Sequence, residues 1–129
     1  MAKKTKRKKL IEKLDKVFSV YIRRRKAKNE VAECFTCGKK DHWKKLQNGH
    51  FQSRKHYATR WNELNCQVQC AGCNVFRYGE QYKFALNLDN TYYTGLAEEL
   101  LIEAHKTLKL DNIDLEMLIT KYEELIKQL

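Results

Sequence analysis

The chain has 129 residues, 43% of them hydrophobic, and a formal net charge of +10. This length suits one compact domain with extensions, and no run of about 18 apolar residues is present that would span a membrane. The basic start MAKKTKRKKL lacks the apolar segment of a secretion signal, so we expect a cytoplasmic protein. In a reducing compartment, five cysteines favour metal binding over disulfides.

The N-terminal part of the chain predicts an amphipathic helix over residues 8–28. Arg23 and Arg24 stand near its C-terminal end, where the helix macrodipole favours cations. We predict that its apolar stripe packs on the rest of the chain while its basic face contacts DNA. The stripe recurs at three- and four-residue steps: Leu10, Ile11, Leu14, Val17, Phe18, Tyr21 and Ile22.

Charge is unevenly distributed along the sequence. Half of the 26 basic residues fall within residues 3–28, against only two acids, Glu12 and Asp15. Residues 98–129 are instead rich in acids. A basic front half with a neutral-to-acidic tail is typical of a protein that binds a phosphate backbone.

The middle of the chain, residues 30–80, differs from both ends. Glycine, asparagine, cysteine, histidine and aromatic residues cluster there, and no helix-length apolar stripe appears before Cys70. This composition predicts short strands and loops, with a hairpin around residues 44–51. From Ala71 we expect a helix that ends at Gly79.

The C-terminal part predicts three helices. Two cover residues 80–88 and 96–108 and are separated by the turn-like stretch LDNTYYTG. The last covers residues 113–129, where apolar residues again recur with helical spacing. Asp111 or Asn112 can cap this helix.

Two CxxC pairs, CFTC and CAGC, lie in this small chain. Their four thiolates, from Cys34, Cys37, Cys70 and Cys73, suit a tetrahedral Zn²⁺ that stabilises a segment too short of apolar surface to fold alone. Cys66 could pair with Cys70 instead, but CAGC mirrors CFTC and gives the tighter knuckle. An iron–sulfur cluster or a redox dithiol would leave the polar residues between the pairs unexplained. We therefore predict structural zinc, with Cys66 as a buried thiol.

Three polar residues accompany the cysteine pairs: His50, Asn65 and Asn74. Each of these residues alone has an ordinary explanation. His50 fits a core or surface histidine, Asn65 a turn former and Asn74 a helix-start residue. The order His…Asn…CxxC-Asn, within the loop that the two knuckles close, favours a functional site instead.

Several short motifs follow one another in an order that resembles the HNH, or ββα-metal, nucleases, and more closely the phage NinG (Rap) recombination proteins. The helix end YIRRR and the final KYEELIKQL are also similar to that family, so the resemblance covers most of the chain. The motifs are CFTCG at 34–38, GHF at 49–51, RWNELN at 60–65, QCAGCN at 69–74 and RYG at 77–79.

The resemblance implies an α+β fold with a zinc-stapled ββα-metal (HNH, treble-clef-like) core over residues 34–82. A basic arm and amphipathic helix over residues 1–33 and a helical extension over residues 83–129 would flank this core in one compact unit.

The resemblance also implies roles for individual residues. His50 and Asn65 are expected to be catalytic, His50 as the general base on water and Asn65 as the residue that steadies the loop and orients the histidine. Asn74 is expected to ligate a catalytic Mg²⁺ or Mn²⁺. Many HNH nucleases carry a metal-binding aspartate or histidine where this chain has Gly49. Either His50 itself or a nearby group such as Glu63 would then complete the metal site.

The expected function is metal-dependent endonuclease action on DNA, with branched recombination intermediates (Holliday junctions, D-loops and flaps) as the substrates that the resemblance implies. A host bacterial cytoplasm follows from the resemblance as well. Expected DNA contacts are the basic residues around the loop and at the end of the first helix: Arg54, Lys55, Arg60, Arg77, Arg23 and Arg24.

Two other functions are compatible with the sequence. One is a zinc-stapled DNA-binding module without catalysis, favoured by the missing acid before His50. The other uses the acidic helical tail for protein interaction or as a homodimer element, with DNA binding incidental.

Overall fold

The structure is a computed structural model that describes residues 2–129, and it shows the α+β class that the sequence predicts. Within the described residues, no helix has both the length and the apolar character needed to cross a membrane. A 3-10 turn covers Trp43–Lys45 and a π-helical turn covers Gly72–Phe76. The regular elements are α1 (Lys6–Arg24), β1 (Val31–Glu33), β2 (Lys40–His42), β3 (Gln47–His50), α2 (Tyr57–Arg60), β4 (Cys66–Gln69), α3 (Gln81–Thr91), α4 (Leu96–Ala104) and α5 (Asn112–Lys127).

Helix α1 begins two residues before the predicted start at residue 8, because Thr5 caps it. The Thr5 hydroxyl accepts a hydrogen bond from the Lys8 N–H at 3.1 Å and satisfies one free donor of the first turn. At its other end, the helix finishes at Arg24.

The two ends of the chain pack together, since α1 lies against α5. The ring of Phe18 meets that of Tyr122 edge-on, with the centroids 4.8 Å apart. Asp111 caps α5 as predicted, and its side chain and that of Asp114 form a reciprocal capping box. The fully buried residues of this cluster recur at helical spacing on both helices and include one cysteine of β4: Leu14, Phe18, Ile22, Leu115, Ile119, Tyr122 and Cys66.

Two small antiparallel sheets lie between these helices. Strands β1 and β2 form the hairpin that carries the first cysteine pair, and β3 pairs with β4 so that His50 stands opposite Cys66. The predicted hairpin around residues 44–51 is therefore wrong. The Asn48-Gly49 dipeptide resembles a hairpin turn, yet both residues lie inside β3, whose partner strand is remote in sequence.

The helix predicted from Ala71 is shorter than expected. After the π-helical turn, Tyr78, Gly79 and Glu80 have φ values of 53°, 87° and 50°, which are left-handed and stop the helix. Gly79 closes the turn by donating its N–H to the carbonyl of Cys73 at 2.8 Å. Helices α3 and α4 then pack as a separate cluster around Phe84.

Candidate metal centre and active-site cleft

The four cysteines of the two CxxC pairs converge at one point. The Sγ atoms of Cys34, Cys37, Cys70 and Cys73 all lie within 4.8 Å of one another. In a tetrahedral site with Zn–S bonds of about 2.3 Å, neighbouring sulfurs are about 3.8 Å apart. The Sγ atoms of Cys37 and Cys70 are 3.6 Å apart. The cluster could therefore hold a zinc ion, and Cys66 lies outside it in the α1–α5 core.

Neighbouring donors support negative charge on three of these sulfurs, whereas burial raises the pKa of the fourth, Cys37. The N–H of Cys73 points at the Sγ of Cys70 at 3.4 Å, and the guanidinium of Arg77 at the Sγ of Cys73 at 3.2 Å. Burial raises the pKa of Cys34, but hydrogen bonds from Thr36 and from backbone N–H groups outweigh it and lower that pKa to about 6. Such contacts stabilise thiolates, which are the forms that bind metal.

A cleft of about 580 Å³ lies beside the cysteine cluster, between α1 and β3. It brings together four of the predicted site residues, His50, Asn74, Arg23 and Arg54, and adds Asp15, which the sequence analysis did not single out. The complete lining is Asp15, Phe18, Ser19, Arg23, Leu46, Gln47, Asn48, His50, Ser53, Arg54 and Asn74.

His50 is held with one ring nitrogen free. Its Nε2 lies 2.9 Å from the carbonyl oxygen of Arg60, and because a carbonyl only accepts, Nε2 carries the proton. The lone pair of the neutral ring is then on Nδ1, which has no hydrogen-bond partner among the described residues. Burial lowers the pKa of His50, and the nearby charge of Arg54 lowers it further. The ring is therefore neutral at pH 7 and can accept a proton.

Asn74 presents an amide oxygen to the same cleft. Its Nδ2 donates to the Oε1 of Gln47 at 2.8 Å, which leaves Oδ1 as the free end of the side chain. Its backbone N–H donates to the carbonyl of Cys70 at 2.9 Å, so the cysteine-bearing turn fixes its position. Amide oxygens are ligands that Mg²⁺ accepts.

A second amide oxygen, which the sequence analysis missed, belongs to Asn48. Its Oδ1 is buried without a hydrogen-bond partner, although the residue lines the cleft. An unpaired buried oxygen is costly unless a ligand or water binds it. Asn48 precedes His50 by two positions in a strand, and this spacing, which puts both on one face, is the signal that could have found it.

Asn65 lies outside the cleft and is fully buried. Its side chain accepts the N–H of Gln52 at 2.8 Å and donates to the carbonyls of Gln52 at 3.0 Å and Thr59 at 3.1 Å. It therefore fixes the loop between β3 and β4. The residue after Thr59 in this loop is Arg60, whose carbonyl accepts the hydrogen bond from His50. In this geometry Asn65 is a positioning residue that acts through the loop.

Glu63, considered above as a metal ligand, also lies outside the cleft lining. Its Oε2 accepts a hydrogen bond from the hydroxyl of Tyr122 at 3.0 Å, and its Oε1 lies 3.8 Å from Arg25. The chain places this carboxylate against α5 and the end of α1, so it belongs to the packing between those elements.

The structure also explains why position 49 carries no acid. A Cβ atom on Gly49 would lie 2.6 Å from the Cδ of Gln69, so that side chain already fills the space. Gln69 is fully buried and donates to the hydroxyl of Thr36 and to the carbonyl of Gly79, both at 3.0 Å. Gly49 is therefore required by a side chain that links the two cysteine-bearing turns.

Asp15 is the carboxylate that does line the cleft, and it binds Arg60. The Nη2 of Arg60 lies 2.6 Å from Oδ2 and its Nε 3.1 Å from Oδ1, while the indole of Trp61 donates to Oδ1 at 3.0 Å. Hydrogen bonding to Asp15 raises the pKa of Arg60. The guanidinium predicted to contact DNA is thus engaged within the chain, where it fixes the loop that holds His50.

The other predicted DNA contacts are distributed around this site. Arg23 and Arg54 line the cleft, and Lys55 is exposed on the same loop as Arg54. Arg24 lies over the ring of Trp43, 5.5 Å from its centroid. Arg77 is half exposed and paired with Glu80 as well as with the cysteine cluster. The structure brings only Arg23 and Arg54 into the cleft itself.

These features define a small α+β protein that has a four-cysteine site suited to zinc and, next to it, a polar cleft with basic side chains. The sequence model of the family described as Bacteriophage Lambda NinG protein matches residues 1–129, and the chain belongs to this family. The resemblance to NinG is thereby confirmed, whereas the HNH type of the core stays a prediction. No curated protein and no solved structure matches the chain significantly.

Proposed function

We propose that the chain is a metal-dependent DNA endonuclease that cuts branched recombination intermediates, such as Holliday junctions, D-loops and flaps, in the cytoplasm of a bacterial host. The observation that carries this proposal is the cleft itself. There the free Nδ1 of His50 and the amide oxygen of Asn74 face the same space as two arginines. Branched DNA as the substrate rests on membership in the NinG family.

In the proposed reaction, the scissile phosphate enters the cleft and is held by Arg23 and Arg54. His50 accepts a proton from water at Nδ1 while its Nε2–H remains bonded to the Arg60 carbonyl. The hydroxide so formed attacks phosphorus, and the bond to the 3′ oxygen breaks to leave a 5′ phosphate and a 3′ oxygen that takes up a proton from solvent. A bound Mg²⁺ or Mn²⁺ would neutralise charge on the phosphate and the leaving oxygen. Asn74 and Asn48 are the residues that would hold it, because the one free nitrogen of His50 takes the proton and cannot also bind the metal.

Zinc has a different role in this proposal. The cysteine cluster fixes the π-helical turn that carries Asn74, and Gln69 connects that turn to the first cysteine pair through Thr36. Zinc would therefore stabilise the site without taking part in the reaction.

A second function, a zinc-stapled DNA-binding module without catalysis, is supported by the charges of the cleft. Asp15 is the one acid in the lining, and Arg60 already neutralises it. Position 49 has no room for another carboxylate. The proposed metal site would thus have neutral donors, whereas Mg²⁺ sites usually include one or two carboxylates.

The acidic tail packs one face of α5 on α1, so an interaction through this helix would use its outer face. A homodimer stays a prediction, and the exposed apolar residues on the outer side of α5 are where we place its contact. Ile113 and Met117, one turn apart, are each 66% exposed.

Cleavage assays with a histidine variant separate the two functions. The wild-type chain, His50→Ala and a matched control are incubated with a four-way junction, a flap and a duplex. The control is His105→Ala, which alters an exposed histidine directly after α4. Each reaction contains Mg²⁺, Mn²⁺ or a chelator. We expect His50→Ala alone to lose cutting while zinc content and salt-dependent DNA binding persist. Undiminished cutting by His50→Ala would refute the catalytic proposal, and DNA binding without cutting by wild type would establish the binding module.

A further inference from the structure

The segment that follows the π-helical turn exposes an unusual amount of aromatic surface. Phe76, Tyr78 and Tyr82 are 77%, 89% and 78% exposed, although aromatic side chains generally bury most of their area. All three fall within seven consecutive residues. We call them the aromatic platform. So much exposed aromatic surface in one short segment indicates a binding surface.

The backbone of this segment is held in an unfavourable conformation by neighbouring hydrogen bonds. Tyr78 and Glu80 are not glycines, yet both have left-handed φ values, which cost free energy unless the surroundings enforce them. The enforcing contacts come from the cysteine-bearing turn. Gly79 donates its N–H to the carbonyl of Cys73 and accepts from Gln69. The exposed rings are therefore presented by a fixed frame next to the cysteine cluster.

The faces of these rings are available. None of the three rings packs against another aromatic ring in the part of the chain that the structure describes, and the hydroxyls of Tyr78 and Tyr82 make no hydrogen bond there. Two cations stand beside them, Arg77 at 52% and Lys83 at 60% side-chain exposure, and these share the single carboxylate of Glu80. The surroundings of the platform are therefore net positive, like the whole chain at +10.

The platform also lies close to the cleft. Phe76 follows Asn74 by two residues, so their Cα atoms are at most about 7.6 Å apart. A nucleic-acid strand whose phosphate lies beside Asn74 would bring its next nucleotides to these rings.

We propose that the aromatic platform stacks unpaired nucleobases of the DNA substrate. This inference rests on the proposed action on DNA. It identifies unpaired bases as the part of the substrate that the protein recognises. Aromatic rings bind any base through its π-face, without regard to sequence. Bases inside a duplex already stack on each other, whereas bases at a branch point or in a flap have free faces. The platform therefore recognises unpaired strands, while the arginines of the cleft bind phosphates of any DNA.

The occupant is a nucleic acid and not an apolar protein surface because the exposed side chains are aromatic, two of them with free hydroxyls, and two cations border them. An apolar partner would leave Arg77 and Lys83 at its edge with only the one carboxylate of Glu80 between them. A phosphate backbone supplies such counterparts at each nucleotide.

The test measures binding by fluorescence anisotropy, without added divalent metal, to an oligo-dT strand and to a duplex of equal length. The variant is Phe76→Ala/Tyr82→Ala, and the matched control Leu101→Ala/Ile102→Ala removes exposed apolar area on α4. We expect the platform variant to lose about fivefold or more in oligo-dT affinity for each base no longer stacked, with duplex affinity unchanged. The control should bind both DNAs like wild type.

A second variant keeps the stacking surface. Phe76→Trp should retain oligo-dT affinity, and its added indole emission should be quenched when oligo-dT binds. Wild-type oligo-dT affinity in Phe76→Ala/Tyr82→Ala would overturn the proposal. An equal loss on duplex would also overturn it, as would a change confined to self-association in sedimentation.

The binding assay is independent of cutting. If wild type binds oligo-dT through the platform but cleaves nothing, the nuclease proposal fails and the platform stands. If cleavage depends on His50 while the platform variant binds oligo-dT like wild type, the platform proposal fails and the nuclease proposal stands.

Discussion

Adding a methyl group at Gly49 should destabilise the protein, and the size of the loss should depend on the side chain of Gln69. In Gly49→Ala, the new methyl group meets the side chain of Gln69, whose Cδ lies 2.6 Å from the position of the added Cβ. Gln69 must then swing away from Thr36 and from the carbonyl of Gly79. Gln69 thereby loses both of its buried hydrogen bonds.

The magnitude follows from those contacts. Each buried hydrogen bond contributes about 1 kcal/mol, and overpacking of a filled site costs about 1–3 kcal/mol. We therefore expect Gly49→Ala to reduce the free energy of unfolding by about 3–5 kcal/mol, a large part of the total for a small domain. Gln69→Ala alone loses the same two bonds but creates no clash, so about 2 kcal/mol is expected.

The decisive variant combines both changes. Once Gln69 is truncated to alanine, the atoms that blocked the added methyl group are absent, so Gly49→Ala/Gln69→Ala should be no less stable than Gln69→Ala. The double-mutant cycle should then show a coupling energy of about 3 kcal/mol or more, far from additive. Urea unfolding of zinc-loaded protein, followed by circular dichroism, measures all four free energies. Additive effects would show that Gln69 does not determine the glycine at this position.

Four further changes test the site. Asp15→Ala should lower the free energy of unfolding by about 3 kcal/mol because it removes the carboxylate that neutralises the largely buried guanidinium of Arg60; a loss below about 0.5 kcal/mol in urea unfolding would contradict this. The cleavage rate should rise with pH through a pKa below 6.5 and then level off, because burial lowers the pKa of His50 and only the neutral ring accepts a proton; a rate that still rises above pH 7.5 would point to another base. Asn48→Ala should raise the Mg²⁺ concentration needed for half-maximal cutting by about tenfold or more while duplex binding persists, and an unchanged requirement would remove Asn48 from the metal site. Zinc, not iron, should accompany the purified chain at one ion per molecule, and Cys70→Ser should lose both metal and cooperative unfolding; iron in metal analysis would overturn the zinc assignment.

Features encoded by local spacing were predictable from the sequence. The two CxxC pairs specify their own cluster, and Asp111 caps α5 because a capping residue needs only its neighbours three positions on. The residues that meet in the cleft were anticipated through the family resemblance. His50 and Asn74 do line one space, although composition alone would not have brought them together.

What escaped prediction depends on contacts between remote residues. Asp15 and Arg60 are 45 positions apart, and nothing in either neighbourhood indicates that one neutralises the other. The role of Gly49 depends on a side chain of the opposite strand. The Asn-Gly dipeptide imitates a turn, so the pairing of β3 with β4 was hidden by a misleading local signal.

The packing of α1 on α5 has a consequence for the protein during its synthesis. One wall of the cleft, with Asp15 and Arg23, belongs to α1, and the apolar stripe that anchors α1 is completed by α5. Until α5 has been synthesised, the nascent chain can contain the cysteine cluster and the histidine but has no fixed wall opposite them. Assembly of the cleft therefore follows synthesis of α5, and a change that unfolds α5 should also remove the wall that carries Asp15 and Arg23.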